Sequence, residues 1–280
     1  THNSSSAASD VYKRQPRVLI NRGGYIHHLI PLGCGMDVML IVFCMAATLL
    51  AAALTVPAGF GLATMLTPVM LLWLDPHLAI AAVAVVHAAH NGWKLLLLKN
   101  DVDFAAVKRY GWAMVLGALI GASLSTSIDP QPLLIVVGFA LILLPLLAIS
   151  ERWTNYRLPE AEDRWGGFGS GFMGGLTGHQ GALRAMFLQR RLPDKSAYAA
   201  TAALLALVVD LSRLPVYLYS DGEALAEYLP LVTGSVVSAI IGVHLGKRWL
   251  KKWKKSHIST MITIGIILSG IMYVIEGFTM

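Results

Sequence analysis

Long runs of apolar residues constrain the fold of this chain more than any other feature. One run covers residues 37–57, and others lie near 77–98, 109–127 and 132–149. Only 14% of the residues are charged and the mean hydropathy is +0.62, which leaves too little polar surface to cover a soluble domain. The runs lack strand alternation and approach the ~20 residues that an α-helix needs to cross a bilayer. We therefore expect an all-α polytopic membrane protein.

The charge balance indicates a membrane rather than a nucleic acid as partner. The chain has 22 Lys and Arg against 16 Asp and Glu. In a soluble chain this excess would suggest nucleic-acid binding, but here it lies in loops between apolar runs, where cytoplasmic loops collect positive charge. The two cysteines, Cys34 and Cys44, indicate neither a disulfide framework nor a cysteine metal site. We expect a lipid bilayer as partner, no nucleic acid, no metal and no cofactor.

Changes of composition along the chain suggest the domain boundaries. Residues 1–35 begin as a polar, Ser-rich stretch, and we expect a non-native or disordered tail followed by a native start at Met36. The alanines that follow leave a cleaved signal peptide open as an alternative. One extended polar connection divides the rest, which predicts transmembrane repeat A over 36–150, a cytoplasmic linker over 151–165 and transmembrane repeat B over 166–280.

Two glycine-containing breaks interrupt the apolar runs, one at residues 57–61 and one at residues 178–181. In the second break, a run stops at Gly178 and restarts at Gly181 with Arg184 one turn in. Irregular backbone at membrane depth is tolerated only where protein or water satisfies it, and a restarted helix directs free N–H groups at the break. An arginine there indicates an anion site. The alternative is a glycine kink with Arg184 extending to the membrane interface.

The two halves are similar, and their loop charges are reversed. Residues 91–94 (NGWK) precede 210–213 (DLSR) by 119 positions, and the loop at 99–109 is basic where its counterpart at 220–227 is acidic. Equivalent loops should therefore face opposite sides of the membrane. This pattern predicts two inverted repeats, each a broken helical hairpin plus three transmembrane helices. A simple kinked span in each copy, which would make the repeats parallel, is the competing interpretation.

Four polar residues share one face of the span at 77–98. His87, His90, Asn91 and Lys94 are spaced i, i+3, i+4 and i+7 in an otherwise apolar helix. Ionisable residues inside a membrane are costly and mark a pathway or a pair. His87 and Asn91 are therefore candidates for a substrate or proton path. The alternative is a packing stripe whose Lys94 reaches the interface.

The buried charges of the two halves favour an anionic substrate. Asp210 and Arg213, at i and i+3, are either substrate ligands or an ion pair that neutralises itself. Counted together, Lys94, Arg184 and Arg213 oppose the single acid Asp210. The cavity between the spans is then net positive before any histidine is charged.

Several of these segments resemble a known family. GFGLATMLTPVMLLWLDP and HAAHNGWKLLL in repeat A, and GLTGHQGALRAMFL and ATAALLALVVDLSRLPVYL in repeat B, resemble the sulfite exporter TauE/SafE family of membrane anion permeases. The resemblance covers about residues 37–277. It implies a multi-pass secondary transporter of the bacterial inner membrane, with relatives linked to sulfite, sulfonates and related organic acids. The glycine-rich motifs of the family would fall on Gly59 and Gly61 and on residues 174–181.

We therefore expect a transporter that moves a small anion, such as sulfite, an organosulfonate or a carboxylate, by alternating access, and not an enzyme. An intramembrane metal-dependent enzyme using His87, His90 and Asp210 is one alternative, and a passive anion channel is another. A homo-oligomer is left open. The residues expected to bind substrate are Gly59, Gly61, His87, Asn91, Gly178, His179, Gln180, Gly181, Arg184, Asp210 and Arg213.

Overall fold

The computed structural model describes residues 38–58, 60–154, 163–192, 194–252 and 255–279. Within these ranges all regular secondary structure is helical. The tail predicted at 1–35, the centre of the predicted linker and Gly59 lie outside the described residues.

The helices of the first half are α1 (Val38–Ala58), α2 (Leu62–Leu71), α3 (Pro76–Leu98), α4 (Phe104–Ser125) and α5 (Pro130–Thr154), with a short 3-10 turn at Lys99–Asp101. The helices of the second half are α6 (Asp163–Thr177), α7 (Gly181–Arg191), α8 (Lys195–Glu227), α9 (Leu229–Lys252) and α10 (Lys255–Thr279). Both interruptions fall where the sequence predicts them. The linker is shorter than predicted, because α5 extends to Thr154 and α6 begins at Asp163, so that each helix enters the segment 151–165.

The predicted all-α fold is confirmed for the described residues, and four of their helical segments are long and apolar enough to cross a membrane. They are Val38–Val56, Pro76–Asp101, Lys195–Glu227 and Leu229–Trp249. Shorter apolar helices lie at Leu62–Leu71 and Gln131–Leu143.

Aspartates begin three of the helices. The carboxylates of Asp75, Asp103 and Asp194 accept hydrogen bonds from the backbone N–H groups three residues later, at 3.1, 2.9 and 2.7 Å. Such caps satisfy N–H groups that have no partner within the helix. They therefore fix where α3, α4 and α8 start.

Helices that occupy corresponding places in the two halves run antiparallel to each other. In α3 and α8, His87 bonds Asp210, whereas Gly92 lies against Leu207 five residues further along α3. In α5 and α10, Gly138 lies against Gly270, whereas the earlier Gln131 lies against Gly277. Contacting residue numbers thus fall in one helix as they rise in the other.

Helices of the first half also pack closely against helices of the second half through small residues. Helix α4 packs parallel to α6, with Gly117 against Phe168 and Gly121 against Phe172, and α1 packs parallel to α9 in the same manner. A Cβ atom at Gly171 would lie 1.9 Å from the carbonyl oxygen of Met114. Small residues permit this close approach of helix backbones in membranes.

Helices α6 and α7 form a hairpin. Gly166 lies against the Phe187 ring, Gly169 against Leu183, and Gly174 against Gln180. The two sets of numbers approach each other between residues 174 and 180, so that the two arms are antiparallel and enclose a single tip that includes residues 178–180.

The close contact at Gly171 predicts a specific cost of enlarging that residue. We expect Gly171→Ala to lower the stability of the detergent-solubilised protein by about 1–3 kcal/mol, because the added methyl group overlaps a backbone carbonyl that cannot rotate away. Gly222→Ala is the matched control, since its nearest neighbour would lie 4.0 Å away on Leu218. Thermal unfolding checks both variants, and equal midpoints would contradict the packing described here.

Candidate functional site

Glycines with positive φ form both interruptions. Gly178, directly after α6, has φ 83°, and Gly61, directly before α2, has φ 112°. Residues with a Cβ atom rarely adopt this conformation, so each break requires glycine. At Gly178 the chain reverses direction, because α6 and α7 pack antiparallel on either side of it.

The two interruptions meet. A Cβ atom at Gly181 would lie 2.8 Å from Cβ of Phe60 and 3.5 Å from the backbone nitrogen of Gly61. Helices α2 and α7 both begin at this contact, so their N-termini lie side by side. Free N–H groups and the positive ends of two helix dipoles are thereby concentrated in one place.

The carboxylate of Asp210 is the centre of the polar network beside the tips. It accepts hydrogen bonds from His87 Nδ1 at 2.6 Å, from Arg213 Nη2 at 2.7 Å and Nε at 3.1 Å, and from Gln180 Nε2 at 3.4 Å. A carboxylate only accepts, so Nδ1 of His87 must hold a proton. Asp210 is fully buried, and these bonds join α3, α8 and the hairpin tip.

Arg213 also holds the C-terminal end of α6. Its Nη1 donates to the carbonyl oxygen of Gly174, and its guanidinium lies 5.7 Å from the Tyr217 ring centroid. The Tyr217 hydroxyl donates to the next carbonyl, that of Gly175. The last carbonyls of a helix lack partners within it and attract positive charge. Arg213 is therefore committed to Asp210 and α6, as the ion-pair interpretation of the sequence expects.

Arg184 is the other guanidinium of the site, and it is less fully bonded. Its side chain is 3% exposed, so it does not extend to an interface. Nη1 donates to Gln180 Oε1 at 3.1 Å, which links Arg184 through Gln180 to Asp210. Its Nε–H has no acceptor among the described residues.

The polar face of α3 is turned toward this network. His87 is the middle residue of α3, and Asn91 Nδ2 donates to the His87 carbonyl at 2.9 Å. His90 is buried, with its ring centroid 6.4 Å from that of His87. Lys94 is only 2% exposed, which excludes the alternative in which it reaches the interface. The tip of the hairpin thus lies level with the centre of a membrane-length helix.

His179 lies on the other side of the tip from Gln180. It is 3% exposed, and its ring meets Tyr273 of α10 edge-on, with centroids 6.0 Å apart. The structure therefore brings Gly61, His87, Asn91, Gly178, Gln180, Gly181, Arg184, Asp210 and Arg213 together, and places His179 against a separate wall. Gly59 is not described.

Three supporting residues were missed by sequence reasoning. Ser170 Oγ donates to the Gln180 carbonyl at 2.9 Å, Tyr217 holds Gly175, and Phe60 packs against Gly181. Tyr217 could have been found, because it lies one turn after Arg213 on the same helical face. Ser170 lies between glycines, and such a stretch of small residues predicts helix packing and not a hydrogen bond to the tip. Nothing in the sequence indicates that Phe60 lies near the second break.

Within the part of the chain that the structure describes, no group of three or more His, Cys, Asp or Glu side chains is placed to hold a metal ion. His87, His90 and Asp210 therefore do not form the three-ligand site that the enzyme alternative requires.

A family model described as Sulfite exporter TauE/SafE matches residues 44–273. Comparison with curated proteins and with solved structures gave no match.

The network around Asp210 predicts a strong dependence on its charge. We expect Asp210→Asn to destabilise the protein by about 3–5 kcal/mol, because it leaves the buried Arg213 without a counter-charge. The double variant with Arg213→Gln should recover part of that loss. Thermal unfolding in detergent measures both, with Asp221→Asn as a control whose carboxylate accepts a hydrogen bond from the neighbouring Ser220 at 2.5 Å. An unchanged midpoint in Asp210→Asn would mean that the ion pair does not hold the helices together.

Proposed function

Because the chain belongs to the sulfite exporter TauE/SafE family, whose members are membrane transport proteins, we propose that it is a secondary transporter of a small anion. The proposed substrate is sulfite, an organosulfonate or a carboxylate. The proposed membrane is the bacterial inner membrane, and the proposed mechanism is alternating access.

The observation that supports this proposal most directly is the state of Arg184. A guanidinium buried at a hairpin tip with an unused N–H donor is suited to bind an oxyanion, because it offers charge and directed hydrogen bonds together. It lies one turn inside α7, whose first N–H groups face the same break. A single anion could thus be bound by Arg184 and by backbone at Gly181.

The charge balance of the buried residues supports the same conclusion. Lys94, Arg184 and Arg213 are all buried, and Asp210 is the acid placed among them. One acid cannot neutralise three cations, so an anion entering the site reduces the electrostatic cost of the arrangement. We propose no direct substrate role for Arg213, because its donors are committed to Asp210 and Gly174.

The remaining predicted residues are proposed to position the site. Gln180 accepts from Arg184 and donates to Asp210, so it fixes the guanidinium relative to α8. His87 and Asn91 complete the wall formed by α3. Gly61, Gly178 and Gly181 allow the two backbones to approach each other where larger residues would collide.

We further propose that the halves are inverted repeats. The antiparallel pairs α3–α8 and α5–α10 support this, because repeats related by an axis along the membrane normal would have corresponding helices parallel. The reversed loop charges support it independently. Rocking of one half against the other about the contact between Gly181 and Phe60 would expose Arg184 to each side in turn.

The proposed role of Arg184 predicts loss of transport without loss of fold. We expect Arg184→Gln to reduce sulfite and methanesulfonate uptake into proteoliposomes at least ~100-fold, the loss expected when a charge-assisted bidentate contact of about 3 kcal/mol is removed. Arg191→Gln is the control, because Arg191 is an exposed arginine two turns further along α7. Uptake that does not saturate would indicate a channel instead. Unchanged uptake by Arg184→Gln would remove Arg184 from the site.

The proposed topology predicts opposite accessibility for equivalent loops. Asn100 follows α3 and Glu227 ends α8, and both are exposed. In a background without Cys34 and Cys44, we expect Asn100→Cys to react with an impermeant maleimide from the cytoplasmic side and Glu227→Cys from the outer side. Ser127→Cys should react from the outer side as a reference. Labelling of positions 100 and 227 from one side would support parallel repeats.

A further inference from the structure

Consecutive side chains of the hairpin tip point to opposite sides. Gln180 joins the network of Asp210 and Arg184, whereas His179 lines a narrow cavity on the far side of the tip. The cavity wall is mainly aliphatic, with Ile80 of α3 and Leu133 of α5, and its polar members include Thr67 and Tyr273. An ionisable ring facing an apolar cavity is not explained by packing alone.

The hydrogen bonds of Thr177 determine which nitrogen of His179 holds a proton. The Thr177 hydroxyl donates to the Met173 carbonyl at 2.8 Å, so its oxygen is left to accept. It accepts from the backbone N–H of His179 at 3.2 Å, and the contact with His179 Nδ1, also 3.2 Å, requires the hydrogen to be on Nδ1. The neutral ring then presents the lone pair of Nε2.

Nε2 of His179 has no hydrogen-bond partner among the described residues, although the side chain is almost fully buried. A buried acceptor of this kind is normally paired, and its exceptions require an explanation. Because it can only accept, the group that it suits is a hydrogen-bond donor or a proton. An anion without a hydrogen would be repelled by this lone pair.

The cavity lies toward the end of the bundle opposite the basic loops. It is formed by the C-terminal part of α2, the first turns of α3 and α5, and the last turns of α10. Pro76, one of its lining residues, follows Asp75, while the opposite end of α3 is followed by Lys99. Under the topology proposed above, this is the outer side of the membrane.

We propose that His179 is the proton-binding residue of the carrier, and that one proton moves together with each anion. Nε2 forms an N–H bond with a proton that water delivers on the side to which the site is open, and the same bond breaks when the site faces the other side. The anion itself undergoes no chemical change. This proposal rests on the proposed transport function and names its coupling ion.

The groups around His179 explain why proton and anion would bind together. Arg213 of α8 faces the tip, with Nη1 3.5 Å from the Cβ position of Gly178. His87 and Asp210 lie in the network behind the tip, and Tyr273 of α10 contacts the ring. The cavity residues contributed by α2 and α5 hold no titratable side chain. A protonated His179 beside Arg213 adds repulsion that a bound anion relieves, so each ligand favours the other.

The linkage has a defined sign. Because anion binding favours the protonated ring, anion affinity rises as pH falls, by at most about tenfold per pH unit for one proton. An acid-outside gradient of one unit can therefore drive about tenfold accumulation of a monovalent anion.

Proteoliposomes test this with methanesulfonate, whose own charge does not change with pH in the range used. We expect wild-type protein to accumulate it under an acid-outside gradient and His179→Asn to lose accumulation while retaining exchange of internal for external methanesulfonate. The Asn amide can still donate to Thr177, but it cannot take up a proton. His244→Gln is the control, because that histidine bonds Trp93 at 2.9 Å, away from the cavity. A pH dye should report about one proton taken up per anion bound by wild type and none by His179→Asn.

The outcomes separate the two proposals. Accumulation by His179→Asn equal to wild type, or wild-type exchange that a pH gradient does not drive, overturns the proton site and leaves the carrier intact. Absence of any exchange in wild type overturns the carrier and the proton site with it. The nitrogen NMR spectrum of His179 in anion-free wild type tests the proposal without any variant, since a neutral ring with its hydrogen on Nε2 instead of Nδ1 would contradict it.

Discussion

One buried carboxylate organises the centre of this molecule. Asp210 accepts hydrogen bonds from a helix of the first half, from the hairpin tip and from its own helix, through His87, Gln180 and Arg213. Because the carboxylate is fully enclosed, each donor is fixed in direction, and the cost of burying the charge is met by the donors together. The position of Arg184 follows, since it is set through Gln180.

The two guanidinium groups of the site differ in how far their hydrogen-bond donors are already used. Arg213 bonds Asp210 and the end of α6, so its charge stabilises structure. Arg184 donates to the neutral amide of Gln180, and its Nε–H has no acceptor among the described residues. In the sequence, both are arginines within apolar segments. Only their surroundings in the structure distinguish a structural cation from one that can bind a substrate.

Much of the architecture was predictable, because it depends on local signals. The lengths of the apolar runs predict the helices. The glycines at 61 and 178 predict the breaks, since only glycine adopts those dihedral angles readily. Spacing gave the buried face of His87 and Asn91. Contacts between the two halves, such as Phe60 with Gly181 and His87 with Asp210, could not be predicted from the sequence. These depend on how separate helices pack, and no periodicity within one segment encodes that.

The close packing of helices that belong to different halves has a consequence for biogenesis. Gly242 of α9 closes onto Leu49 of α1, and Gly121 of α4 closes onto Phe172 of α6. Helix α1 is therefore synthesised long before α9, its close-packed neighbour, exists. Until then its surface must be shielded by lipid or by the insertion machinery, and neither half forms a complete folding unit alone.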